Sequence, residues 1–106
     1  MTDTDKLQDL LLIDLKTLIQ HLDKYEVKFW SDYFQKISKL IDNGDIRGLD
    51  SLTNMRGGMG SFTDLVICKI NSHAIEEKKE DFANSELMRL GELVFKSADK
   101  LKRLIK

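Results

Sequence analysis

The chain has 106 residues, 42% of them apolar and 33% charged, with a net charge of −1 and a single cysteine, Cys68. That length supports one domain around one core, and the apolar content excludes a disordered polar chain. The near-zero charge excludes a global field toward nucleic acid or membranes, and the lone cysteine excludes an internal disulfide.

The longest apolar run, residues 10–13, falls far short of the roughly 20 residues of a membrane helix. The stretch MTDTDKLQDL is acidic and fronts a short apolar run, unlike a secretory signal, so a cytoplasmic location is expected. There is no proline, so breaks are read from Gly, Asn and capping residues.

The first predicted helix covers residues 5–23, with Thr4 or Thr2 as its cap. Leu7, Leu11, Leu15, Leu18 and Leu22 share one stripe at helical spacing, Leu12 and Ile19 widen it, and Leu10 and Ile13 lie beyond its other edge. So broad an apolar arc serves more than one neighbour, which places this helix centrally. A second helix is predicted over residues 25–42, with Trp30, Phe34, Ile37 and Ile41 aligned and Val27, Tyr33 and Leu40 beside them. DNG at residues 42–44 stops it, because Asn and Gly tolerate a left-handed C-terminal cap. A short third helix follows from residue 45 to about residue 53, with Ile46, Leu49 and Leu52 inward and Gly48 weakening it by about 1 kcal/mol relative to alanine.

The next stretch, NMRGGMGSFTDL, places three of the six glycines in four residues. Gly57, Gly58 and Gly60 are read as a tight corner, after which SFTD has the form of a capping box: Ser61 caps the next helix and Asp64 reaches back. Phe62, Leu65, Val66, Ile67 and Ile70 then supply apolar surface, read as helix with strand as the alternative. EEKKED at residues 76–81 is a solvated face or loop. The last helix carries Leu87, Leu90, Val94, Ala98, Leu101 and Ile105 at spacings of three and four, a seam suited to packing in a bundle. The expected fold is therefore a single all-α domain over residues 1–106, a compact bundle of four to five helices with a Gly-rich corner at 57–60.

No constellation of catalytic groups emerges. A P-loop needs a lysine and a hydroxyl directly after its last glycine, whereas Ser61 and Phe62 follow here. His21, Cys68 and His73 have no standard zinc spacing, and Cys68 lies in an apolar run that buries it as an inert thiol. No enzyme activity, cofactor or metal is expected. Charge is nonetheless polarised: residues 1–26 balance to −3 and residues 96–106 to +4. Helix dipoles account for an acidic first turn and a basic last turn; a functional polarity is the alternative.

The string GGMGSFTDL resembles a motif, G-G-M-G-S-(F/L)-(N/T)-D followed by aliphatics, of a family of small, poorly characterised bacterial helical proteins. Thr63 stands where that motif more often has Asn. The resemblance implies a bacterial, cytoplasmic, mostly helical domain and no catalytic residue. In size, acidity of the first half and lack of chemistry the chain is also similar in type to the immunity proteins of toxin systems, including contact-dependent growth inhibition. That likeness implies a protein partner, a cognate toxin whose active or partner-binding surface is covered, with no membrane or nucleic acid involved. Asp5, Asp9 and Asp23 share a helical stripe and are the candidate partner-binding face, which would steer association with a basic toxin. The alternative is a nucleic-acid-binding or regulatory module using the basic last helix, KSADKLKRLIK.

Overall fold

The computed structural model describes residues 3–54 and 75–105. Four α-helices and one 3-10 turn occur among them: α1 (Asp3–Lys24), α2 (Lys28–Asp42), α3 (Ile46–Asn54), the turn Glu77–Lys79, and α4 (Glu80–Ile105). No strand occurs among the described residues, and no described helix is long and apolar enough to cross a membrane. The architecture is an all-α bundle. The predicted corner of Gly57, Gly58 and Gly60, the cap of Ser61 and Asp64, and the helix-or-strand question at 65–70 lie outside the described residues.

Helix α1 is the centre of the bundle. Leu11, Leu15, Leu18 and Leu22 are fully buried, and Leu7, Leu12 and Ile19 pack partly buried against the same core. Leu10 and Ile13, beyond the edge of the stripe, are exposed. Both α2 and α4 make their main packing with α1 rather than with each other, and α3 joins the far end of α2 to α4. The helix begins at Asp3, so Thr4 lies inside its first turn rather than capping it.

Helix α2 starts three residues later than the periodicity indicates, because α1 ends in a turn that carries no glycine. Glu26 takes the left-handed conformation at φ 56°. Its N–H bonds the Asp23 carbonyl at 3.1 Å and the Val27 N–H bonds the Leu22 carbonyl at 2.9 Å, the two bonds of a Schellman motif. Tyr25 and Val27 on either side are buried, which fixes the turn from within. The second corner has the same form with the usual residue. Gly44 sits at φ 73°, and the N–H groups of Gly44 and Asp45 bond the carbonyls of Ile41 and Leu40.

Helix α3 then packs back against α2. Its cap is Asp45, whose carboxylate accepts the Arg47 N–H at 3.0 Å. At Gly48 an added Cβ would lie 2.8 Å from Ile41 Cγ1, 3.1 Å from Leu40 Cβ and 3.2 Å from the Ile37 carbonyl oxygen. Gly48 is thus where α3 touches the α2 backbone, and its cost in helix propensity is offset by that approach. EEKKED divides between the 3-10 turn and the first turn of α4, a helix longer at its start than the sequence indicates. The α4 core face is formed by Ala83, Leu87, Leu90, Val94, Ala98 and Leu101, joined by Phe95, whereas Ile105 is exposed.

Two substitutions test these corners. Glu26→Gly removes the Cβ penalty of the left-handed region, of order 1–2 kcal/mol, against a loss of unfolded-chain entropy of about 0.4–1 kcal/mol. The expected outcome is a raised thermal midpoint; an unchanged or lowered one contradicts the turn geometry. Gly48→Ala gains about 1 kcal/mol of helix propensity but forces an overpacked contact costing about 1–3 kcal/mol. Its thermal midpoint should fall, and a rise would show that α3 does not lie on the α2 backbone.

Candidate interaction surface

The first turns of α2 present aromatic residues at overlapping helical spacings, so that Phe29 and Tyr33 lie one turn apart, as do Trp30 and Phe34. Phe34 is fully buried and roots the row in the core, and Trp30 is half-buried beside it. Phe29 is 71% exposed and Tyr33 37% exposed. The Trp30 ring lies edge-on to Phe29, at 5.3 Å between centroids, and to Tyr33, at 5.7 Å, while Phe29 and Tyr33 lie parallel at 6.5 Å. Contiguous rings are stabilised mutually. The result is a pre-ordered apolar surface in which little side-chain entropy remains to be lost on contact with a partner.

This row is the feature that reading by stripe obscures. Spacing places Trp30 and Tyr33 on the packed side, and Tyr33 instead faces outward with Phe29. The signal in the sequence is the width of FWSDYF: two aromatic pairs at i,i+4 cover more arc than one helix-facing stripe can bury.

The acidic candidates are divided. Asp5 and Asp9 are exposed one turn apart near the start of α1. Asp23 is 14 residues on from Asp9, about 21 Å along the axis at 1.5 Å per residue, and Lys16 lies on the stripe between them. Asp23 also has a structural task. Its carboxylate accepts from the hydroxyl of Ser31, a fully buried residue on α2, and the Gln35 amide donates to that hydroxyl at 3.1 Å. The stripe therefore contributes an acidic pair at one end and a helix tie at the other.

The basic end of α4 is also engaged within the fold. Lys102 reaches α3, with Nζ 3.2 Å from Asp50 and 2.9 Å from the Thr53 hydroxyl. Lys100 and Arg103 line a groove between α1 and α4 together with Asp3. Antiparallel packing thus sets the acidic start of α1 beside the basic end of α4, and part of the charge polarity is a lateral contact in addition to its dipole role. At the same end, an apolar cavity of about 210 Å³ is bounded by Gln8, Ile41, Asp45, Leu49 and Leu101, among others. Hydrogen bonds from the Arg47 guanidinium and backbone hold the Asp45 carboxyl down at about 2, below its ordinary 3.8.

His21 is tied across the helix seam: its Nε2 lies 2.9 Å from the Ala83 carbonyl oxygen, an acceptor, so this nitrogen carries the proton. Among the described residues no three His, Cys, Asp or Glu side chains gather as a metal site. Cys68 and His73 lie outside the described residues.

The profile of a domain of unknown function, DUF6966, matches residues 23–76. No curated protein and no solved structure matches the chain significantly. The matched segment holds the Glu26 turn, the aromatic row of α2 and all of α3, with Asp23 as its first residue, whereas Asp5 and Asp9 precede it. It spans just over half of the 106 residues, and the chain belongs to the DUF6966 family.

Proposed function

We propose that the protein is a non-enzymatic binding protein of the bacterial cytoplasm, most concretely an immunity protein that neutralises a toxin by covering its active or partner-binding surface. The observation that carries this reading is the aromatic row of α2, in which Phe29 and Tyr33 are exposed, Trp30 is half-buried between them and Phe34 roots the row in the core. Interfaces are enriched in aromatic side chains, which carry much of the binding energy when a partner desolvates them. A row of rings held by its own neighbours presents that area with its rotamers already fixed. Asp5 and Asp9 lie outside the segment matched to the family and act as an electrostatic edge that speeds encounter with a basic toxin surface.

The reading through the basic last helix is the weaker one. Lys102 is engaged by Asp50 and Thr53, and Asp3 shares the groove of Lys100 and Arg103. Each cation so neutralised is one fewer phosphate contact with its released counterion.

The test is protection. The neighbouring gene is sequenced for a toxin domain, and that domain is expressed with wild-type protein, with Phe29→Ala/Tyr33→Ala, or with Asp5→Lys/Asp9→Lys; a neighbourhood with no such domain removes the toxin reading. Wild type restores growth and binds the toxin in titration calorimetry. The aromatic double variant loses at least tenfold in affinity, since an interface anchor contributes about 2 kcal/mol or more. The charge reversal slows association chiefly. Asp23 is left intact, because its change would also release Ser31. Full protection by the aromatic variant, or no complex with wild type, contradicts the proposal.

A further inference from the structure

Two isoleucines that spacing places inward, Ile46 on α3 and Ile105 on α4, are 47% and 43% exposed. Both are lips of the cavity of about 210 Å³, which lies where α1 and α3 begin and α2 and α4 end. Its apolar walls are Ile41, Leu49 and Leu101, all buried in the core.

One side of the cavity is polar. Thr4 and Gln8 both line it and stand one turn apart on α1, so their side chains share a face. The Gln8 amide nitrogen donates to the Ile41 carbonyl at 2.6 Å. A carbonyl only accepts, so this bond fixes the orientation of the amide and leaves its oxygen as an acceptor. Among the described residues neither that oxygen nor the Thr4 hydroxyl has a hydrogen-bond partner. The remaining polar side chain, the Asp45 carboxylate, is already held by the Arg47 guanidinium and N–H. No lysine or arginine among the described residues lines the cavity.

We infer that this cavity is a binding site for a small uncharged phenol or alcohol of one ring, its ring between Ile41, Leu49 and Leu101 and its hydroxyl on Thr4 and Gln8. A hydroxyl donates and accepts at once, so it donates to the Gln8 oxygen and accepts from the Thr4 hydroxyl. A charged head would lose its hydration without gaining a counter-ion, because the Asp45 charge is engaged. Size points the same way. An apolar cavity of about 150 Å³ takes up benzene, so the larger volume here accommodates a ring with a hydroxyl and a short alkyl substituent. Water alone satisfies the two polar groups but leaves the apolar walls without contacts. A ligand so placed touches all four described helices and stabilises them together by mass action. The site lies toward the opposite end of α2 from the aromatic row and does not depend on the toxin reading.

The test is titration of the full isotope-labelled chain with 4-ethylphenol, followed by amide chemical shifts. Saturable shifts centred on Gln8, Ile41, Gly44, Leu49 and Leu101 are expected, with a Kd at or below about 1 mM, and the thermal midpoint rises with ligand concentration. Thr4→Val, of the same shape without the hydroxyl, weakens binding about fivefold, the loss of one hydrogen bond. Ile46→Trp, at an exposed lip, fills the opening and abolishes binding while the helical circular dichroism is kept. The charged analogue 4-ethylbenzoate does not bind, and Phe29→Ala/Tyr33→Ala leaves the affinity for 4-ethylphenol unchanged. No saturable shift up to about 10 mM, or shifts centred on the aromatic row, overturns the inference. So does equal binding of 4-ethylbenzoate, or an affinity that neither Thr4→Val nor Ile46→Trp alters.

Discussion

The fold depends on one burial: the leucine row of α1, closed on one side by α2 and on the other by α4. Leu11, Leu15, Leu18 and Leu22 are all at zero exposure, and truncating such a residue to alanine typically costs 2–5 kcal/mol. In a domain whose net stability is of order 5–15 kcal/mol, the loss of one such side chain is a large part of the total. Apolar burial has no direction, however, and the same leucines would tolerate a sliding or rotated partner helix. Register comes from polar ties across each seam. Gln8 donates to the Ile41 carbonyl at 2.6 Å and Asp23 accepts from Ser31 on the α2 side. Asp14 accepts from Ser97 and His21 donates to the Ala83 carbonyl on the α4 side. The α2 seam is tied near both ends and the α4 seam near the end of α1 and at its middle, and among the described residues no buried side-chain nitrogen or oxygen lacks a partner.

Much of this was legible in the sequence because helices announce themselves by period. The spacing of Leu11, Leu15, Leu18 and Leu22 identified α1 and its central place, the spacing of Leu87, Leu90, Val94, Ala98 and Leu101 identified α4, and DNG marked the end of α2. What period cannot convey is the conformation of single residues. The turn between α1 and α2 places Glu26 where glycine is usual, and nothing in DKYEVKF marks it. The buried Tyr25 and Val27 impose it through tertiary packing. Gly48 has the opposite character. In isolation it weakens a helix, and only the position of Ile41 and Leu40 shows that the space for a Cβ is already filled.

The candidate site was less legible, for the same reason. A hydrophobic stripe predicts a buried face but not how wide the neighbour is. Trp30 and Phe34 fill the width that α1 offers to α2, and Phe29 and Tyr33 are left outside it. Charge was misleading in another way. Asp5, Asp9 and Asp23 fall on one helical stripe, yet Asp23 is tied to Ser31 and Lys16 intervenes, so a shared face in sequence is not a shared patch in space. The basic tail likewise has neighbours that no local window reveals, because Asp50 and Thr53 approach Lys102 from α3.

The measurement closest to the central claim is native-state hydrogen exchange resolved by residue. Amides buried in the most stable unit open only with global unfolding, whereas peripheral elements open locally at lower cost. If the leucine row holds the bundle, the amides of Leu15, Leu18 and Leu22 exchange slowest, together with those of Val94 and Ala98 facing them, and α3 exchanges faster by orders of magnitude. Amides in the middle of α1 that exchange as fast as those of α3 would contradict the account.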